Sequence, residues 1–337
     1  MSKTSAQLSL FETPAGNTPV PDVAPAPVAA PLAGLATRLP PGLYLGTSSW
    51  YFPGWAGIVY DKKIGEQALR RNGLRAYAAH TLLNCVGIDR TFYAPLAAHE
   101  YARYATQVPA GFRFLVKAPI LITSPVVRDE NGQPTARNPH FLDPDFANKE
   151  FIAPCREGLG AKAGPLVFQF SPLGGKYAHD PARFAALLHD FLAALPAGPL
   201  YAVEIRDTEL LTGDYARVLR EIGARHCFGV HPRMPDIAAQ ARVLGPALKG
   251  PLVARWSLHS DFRYEQAKAR YAPFDKLIDE DPATRGALAA LCCSTLAAGE
   301  SAFVIANNKA EGSAPLTCVK LAEAISSEWR TDPPAQS

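Results

Sequence analysis

Glu204 and Arg206 stand two residues apart in the apolar run Tyr201-Ala202-Val203-Glu204-Ile205-Arg206. Side chains alternate along an extended strand, so these two charges point one way while Val203 and Ile205 point the other. Lys117 ends a similar run and shares the side of Leu115. A lysine beside a glutamate can serve as a general acid or, when desolvated, as an amine nucleophile. A Lys–Glu pair that only holds the fold explains the same residues almost as well. Asp89 closes a third apolar run and adds a second carboxylate. Lys117, Glu204 and Asp89 are therefore the candidate catalytic residues.

Cations recur where the other apolar runs end. Arg90, Lys117, Arg206, Arg233, Arg255 and Lys309 each sit at such a boundary. Guanidinium forks and ammonium groups gathered in one place would hold phosphate or carboxylate. The alternative is a rim in which they pair with Asp89, Glu204 and Asp207. Candidate binding residues are Arg206 and Arg255, with Gln169, Tyr93, Trp50, His231, Asn307 and Asn308 at neighbouring boundaries. Ser313 and Pro315 read as the N-cap and first turn of a helix after Asn307-Asn308, a place where unpaired amides suit an anion. Trp50 and Tyr93 belong to an aromatic group with Tyr51, Phe52, Trp55, Tyr60, Phe92 and Trp256. Such rings stack on a base or sugar or close a packed lid, and the lid is the better reading for Phe52 and Phe92. Asp89, Glu204 and His231 are the one set that could ligate a metal. With no H-x-H after the first strand, the residues call for no cofactor; a divalent metal stays open as the alternative.

The elements that must carry these residues alternate. Apolar strands are expected at 43–49, 84–89, 112–117, 166–170, 200–205, 226–231, 252–256 and 302–306. Helical patterns fall between them, at 66–80, 97–107, 145–158, 182–195, 213–221, 236–248, 264–278 with 283–298, and 317–329. Leu69, Leu74, Tyr77 and Ala78 have the spacing of a buried helical stripe. Asp180 is placed to cap a helix whose first residue is Pro181. Eight strands in strict alternation with helices favour an α/β fold, a closed (β/α)₈ TIM-type barrel. An open nucleotide-binding sheet would need a glycine-rich turn after its first strand, and residues 46–50 do not form one. In a barrel the strand ends share one face, so the candidate residues would converge there.

The chain has 337 residues, 48% of them apolar, and a formal charge of +3. That charge argues against non-specific coating of nucleic acid while leaving room for a local basic site. No apolar run is long enough for a membrane span, and no signal peptide is expected. The six cysteines form no C-x-x-C pair and read as buried thiols in a reducing compartment, so the expected location is cytoplasmic. Prolines crowd residues 12–41, which predicts an extended, disordered linker. The expected organisation is a disordered tail at 1–41, the barrel at 42–330 and a disordered end at 331–337.

Gly46-Thr47-Ser48-Ser49-Trp50 with Trp55, Gly57 and Tyr60, then Thr91-Phe92-Tyr93, Val116-Lys117-Ala118-Pro119, Phe168-Gln169, Val203-Glu204-Ile205-Arg206 and Asn307-Asn308, resemble the YecE-like family, domain of unknown function 72. The resemblance runs from about Leu43 to Trp329 and implies a barrel of this type without supplying an activity. Many members carry Glu and Asn where this chain has Gly87 and Asp89. In the tail, Gln7-Leu8-Ser9-Leu10-Phe11 resembles the peptide by which bacterial replication and repair proteins bind the DNA sliding clamp. Gln7, Leu8, Leu10 and Phe11 would make that contact. The expected function is binding of, or a hydrolase or lyase reaction on, a phosphate-bearing substrate, with damaged nucleic acid as one candidate. The alternatives are a non-catalytic barrel that binds an anion or nucleic acid, and a metabolic isomerase or lyase acting on a small anionic compound.

Overall fold

Short strands apolar at successive positions demand burial on both faces, and a closed barrel wrapped in helices provides it. The computed structural model describes residues 23–130, 132–245, 249–259 and 262–329. Its strands are β1 (Leu43–Thr47), β2 (Cys85–Ile88), β3 (Arg113–Lys117), β4 (Val126–Arg128), β5 (Pro134–Arg137), β6 (Ala163–Gln169), β7 (Tyr201–Glu204), β8 (Arg225–Val230), β9 (Leu252–Trp256) and β10 (Ala302–Ala306). All but β4 and β5 are parallel neighbours around a closed ring, β1-β2-β3-β6-β7-β8-β9-β10. The chain is therefore an α/β TIM-type barrel, with every expected strand in its expected place.

Alternate residues divide the core in two. Cys85, Leu115, Val167, Ala202, Cys227, Val253, Phe303 and Ile305 fill the inside of the ring. Val86, Ile88, Phe114, Val116, Phe168, Val203 and Val304 face outward against the helices. This division fixes the direction of the polar residues two positions further along each strand: Lys117 after Leu115, Glu204 after Ala202, Arg255 after Val253. At Gly46 a Cβ would meet the Cys85 carbonyl oxygen at 1.9 Å, so only glycine lets β1 and β2 approach as they do.

The outer helices follow the amphipathic patterns. Leu69, Leu74 and Tyr77 are buried on the helix Glu66–Tyr77. The Asp180 carboxylate accepts from the Arg183 amide at 3.0 Å and caps the helix Pro181–Ala193. The stretch expected as one helix at 145–158 contains a wider turn, Asn148–Ile152, between Pro144–Ala147 and Ala153–Leu159. Pro154 explains it: with no amide proton, its ring would clash with the carbonyl four residues back in a regular helix. The helix expected at 264–278 ends at Tyr271, just before Ala272-Pro273, since a residue preceding proline avoids the helical region.

Two further features depart from the sequence expectation. Residues 23–41, expected to be disordered linker, contain the helix Ala30–Ala36. Leu35 is buried against the core, Val23 is nearly so, and Pro25 bridges to Tyr60. Proline density misled here because Pro31 occupies the first turn of that helix, where a missing amide proton costs nothing. The rest of the tail and residues 330–337 lie outside the described residues. The second departure is the antiparallel pair β4–β5, inserted between β3 and β6. None of the six cysteines is in a disulfide, and all but Cys293 are buried. Among the described residues no helix is long and apolar enough to cross a membrane.

Candidate functional site

Lys117, Glu204 and Arg255 project from the ends of β3, β7 and β9, just above the apolar interior of the ring. Asp89 and Arg206 follow β2 and β7 by one or two residues. Arg206 donates from Nε and Nη2 to Glu204 Oε1, at 3.0 and 2.8 Å. Arg255 donates from Nη1 to Glu204 Oε2 at 2.6 Å and from Nη2 to Asp89 Oδ2 at 2.7 Å. Glu204 and Arg255 are both buried. An unpaired charge there would cost several kcal/mol, so this chain of ion pairs is what permits charge at that depth (order of magnitude). Burial pushes the Glu204 carboxyl up, but the Arg255 and Arg206 guanidiniums and the Lys117 ammonium outweigh it and hold the group at about 2. Burial likewise opposes the charge on Arg255, and Asp89 with Glu204 raises it above its ordinary value.

Lys117 has no such partner. Both Glu204 oxygens and one Asp89 oxygen are taken by guanidiniums, and among the described residues no carboxylate pairs with Nζ. The amine instead lies 3.4 Å above the centre of the Phe92 ring, with 9% of the residue exposed. Burial and then Arg255 push it down to about 7. The attraction of the ring for an ammonium, about 0.5–2 kcal/mol, offsets part of this but not all. Asp89 Oδ1 and Arg255 Nε are sealed without partners, so the polar layer is not internally complete. Lys309 stands nearby, pushed down to about 8 by burial and then by Lys268, with Nζ 4.1 Å above the Tyr264 ring. Among the described residues the acids acting on Lys117, Arg255 and Lys309 are Asp89 and Glu204, with Glu265 acting on Lys309 beside the further cation Lys268, so with Arg206 the cations outnumber the acids, a balance that favours an incoming anion.

The remaining candidates divide. Gln169 is buried at the end of β6 and donates from Nε2 to Ser171 Oγ at 3.1 Å. Asn307 Nδ2 donates to Ser48 Oγ at 2.8 Å, and its Oδ1 accepts from the Lys309 amide at 3.0 Å. Tyr93 is 84% exposed, and partial burial of its hydroxyl and then the neighbouring Tyr264 and Asp89 push the phenol up. Trp50 is buried, edge-on to Tyr51 and Tyr104, with Nε1 unpartnered beside a cavity of about 20 Å³ that also borders Asp89. His231 is pushed down to about 4 by burial and then by Arg206, so it is neutral near pH 7. Asn308 belongs to the scaffold. Its buried Oδ1 accepts from Trp55 Nε1 at 3.1 Å and from the Ala314 amide at 2.8 Å. It takes the capping place expected of Ser313, whose side chain caps nothing.

Two of the expected cations have acid partners other than Asp89 and Glu204. Arg90 binds Glu100 at 2.6 Å and Tyr104 at 2.9 Å, and Arg233 lies 3.7 Å from Asp207. Among the described residues no three His, Cys, Asp or Glu side chains come together as ligands, so Asp89, Glu204 and His231 do not form the metal set considered from sequence. Two contributions were not foreseen: the Phe92 ring, read as lid packing, carries the Lys117 amine, and Tyr264 carries Lys309. The only sequence signal for the first was the position of Phe92 beside Tyr93 at the end of β2. A cleft of about 720 Å³ beside the helix Pro181–Ala193, lined by Arg137, Phe141, Lys176, Tyr177 and Arg183 among others, contains none of these residues. The largest of these volumes and the cluster of buried charges therefore lie in different places.

The fold has counterparts of known structure. A DUF72 family protein from Enterococcus faecalis superposes with a TM-score of 0.57 at 16% identity, covering 88% of this chain and 99% of the other. Another from Thermotoga maritima gives 0.55 at 19% identity, covering 83% and 98%. At these identities the likeness concerns the fold alone. No curated protein matches the chain. The family model described as "Protein of unknown function DUF72" matches residues 44–337, and the chain therefore belongs to the DUF72 family.

Proposed function

We propose that the C-terminal mouth of the barrel binds the phosphate group of a substrate and acts on it as a hydrolase or lyase. The observation that carries this reading is Lys117, buried and with no carboxylate partner among the described residues, set among Arg206, Arg255 and Lys309. Exposed Tyr93 supports a substrate that also offers a ring, as a nucleotide does. Non-catalytic anion binding is the second reading, favoured by the burial of Glu204 and the guanidinium hydrogen bonds on both its oxygens, which leave one lone pair, on buried Oε2, for a substrate proton. Inorganic phosphate tests the site common to both. A ligand bound only to the folded state stabilises it, by about 2.7 kcal/mol at a hundredfold over its Kd. Phosphate should raise the melting temperature beyond a chloride control of equal ionic strength, and Arg206→Ala should lose most of that rise. Equal responses to the two salts in the wild type would remove the anion site.

For the tail, we propose that Gln7, Leu8, Leu10 and Phe11, which lie outside the described residues, bind the sliding clamp in the cytoplasm. The support is the order of residues: apolar anchors for a groove and a glutamine to orient them. Ordering a flexible peptide costs entropy, so affinity on the order of micromolar is expected. A peptide of residues 1–15 titrated into purified clamp should bind, and one with Leu10→Ala and Phe11→Ala should not. Equal binding by both would reduce the motif to coincidence.

A further inference from the structure

We propose that the Lys117 ε-amine condenses with the carbonyl carbon of a short phosphorylated aldehyde or ketone to form an imine. The inference rests on the anion-site reading above and names the substrate class of that site. Its geometry begins with β3. Lys117 follows Leu115 on the inner side, so the side chain rises from the apolar interior into the mouth. Thr91 Oγ1 donates to the Lys117 carbonyl oxygen at 2.5 Å and fixes the backbone under it. The amine then lies over the Phe92 ring and not on a carboxylate.

An imine-forming lysine needs an unprotonated nitrogen and a direction free of ion pairs. The charged groups that act on Lys117 are Arg255 from β9, Asp89 after β2, Glu204 from β7 and Arg206 after it. The two acids are engaged by the two arginines, so neither holds the lysine proton. Arg206 keeps some solvent exposure, 18% of its side chain, and can also meet a phosphate; Lys309 supplies a further cation. Condensation balances without any oxidant or reductant. The nitrogen lone pair attacks the carbonyl carbon and the C=O pair moves to oxygen, which takes up one of the two amine protons. The carbinolamine then forms C=N as its hydroxyl leaves with the N–H proton, releasing one water in all.

Glycolaldehyde phosphate with cyanoborohydride, followed by peptide mapping of the full chain, tests the proposal directly. At neutral pH the reduced adduct should form at Lys117 at least about tenfold faster than at exposed Lys62 or Lys149. Inorganic phosphate should slow labelling at Lys117 alone. Lys117→Arg should abolish that adduct. Labelling of Lys117 no faster than Lys62 overturns the imine; if phosphate still stabilises the wild type, the anion site survives by itself. Equally fast labelling by glycolaldehyde lacking phosphate, indifferent to added phosphate, overturns the phosphorylated substrate and with it the anion site.

Discussion

Replacing Glu204 by glutamine is expected to cost about 3–5 kcal/mol of folding stability at pH 7, the usual result of removing one member of a buried ion network. Glu204 is buried, and its two oxygens bind the guanidiniums of Arg206 and Arg255. A neutral amide has the shape of the carboxylate but leaves Arg255 with Asp89 alone. One end of the amide would also present a donor to a donor. Its pH dependence is equally specific. The folded group sits at about 2 against an ordinary 4.5, so its contribution is complete above about 4.5 and disappears as pH falls toward 2. Urea denaturation across that range should show the wild type losing its advantage over Glu204→Gln as acid is added. A variant within about 1 kcal/mol of wild type at pH 7 would mean that the network is ornamental and that Glu204 is available for chemistry.

Lys117→Met should have the opposite sign: a more stable protein, by about 2–4 kcal/mol at pH 6. Below pH 7 both folded and unfolded wild type carry the proton, and the folded state bears the full cost of a buried ammonium without a carboxylate. Between about 7 and 10.5 the folded protein releases that proton before the unfolded chain does, so wild-type stability climbs with pH. Methionine fills similar space and has no charge, so its curve should lack that rise and meet the wild type near pH 10.5. Chemical denaturation at several pH values reads the difference directly, since the other titrating groups are common to both proteins. A variant less stable than wild type at pH 6 would make Lys117 a structural cation. The expected gain is the stability a working site gives up to keep a reactive group where packing alone would place an apolar one.

The architecture was legible because it is written locally. Each strand carries its own two-residue alternation, and eight of them separated by helical patterns leave a closed barrel as the consistent solution. The same alternation foretold that Lys117 and Glu204 would face inward, because a strand side chain has only two directions. Proline-rich residues 23–41 were misread for a physical reason: composition shows where a helix is discouraged, but not that Leu35 finds a buried place in the core.

Partner choice was settled only by tertiary structure. From sequence, Lys117 and Glu204 read as a pair, but hydrogen bonding awards Glu204 to two arginines from β9 and the end of β7 and leaves the lysine over a ring. Arg90 and Arg233 stand at strand ends like the others, yet each meets an acid of its own, Glu100 and Asp207. Asn308 looks like a binding residue in sequence, and its burial against Trp55 and the last helix makes it scaffold. Spacing along one chain fixes the side of a strand on which a charge emerges. Which opposite charge lies within 3 Å depends on strands more than a hundred residues apart, as with Arg255 and Asp89, and so on the closure of the ring itself.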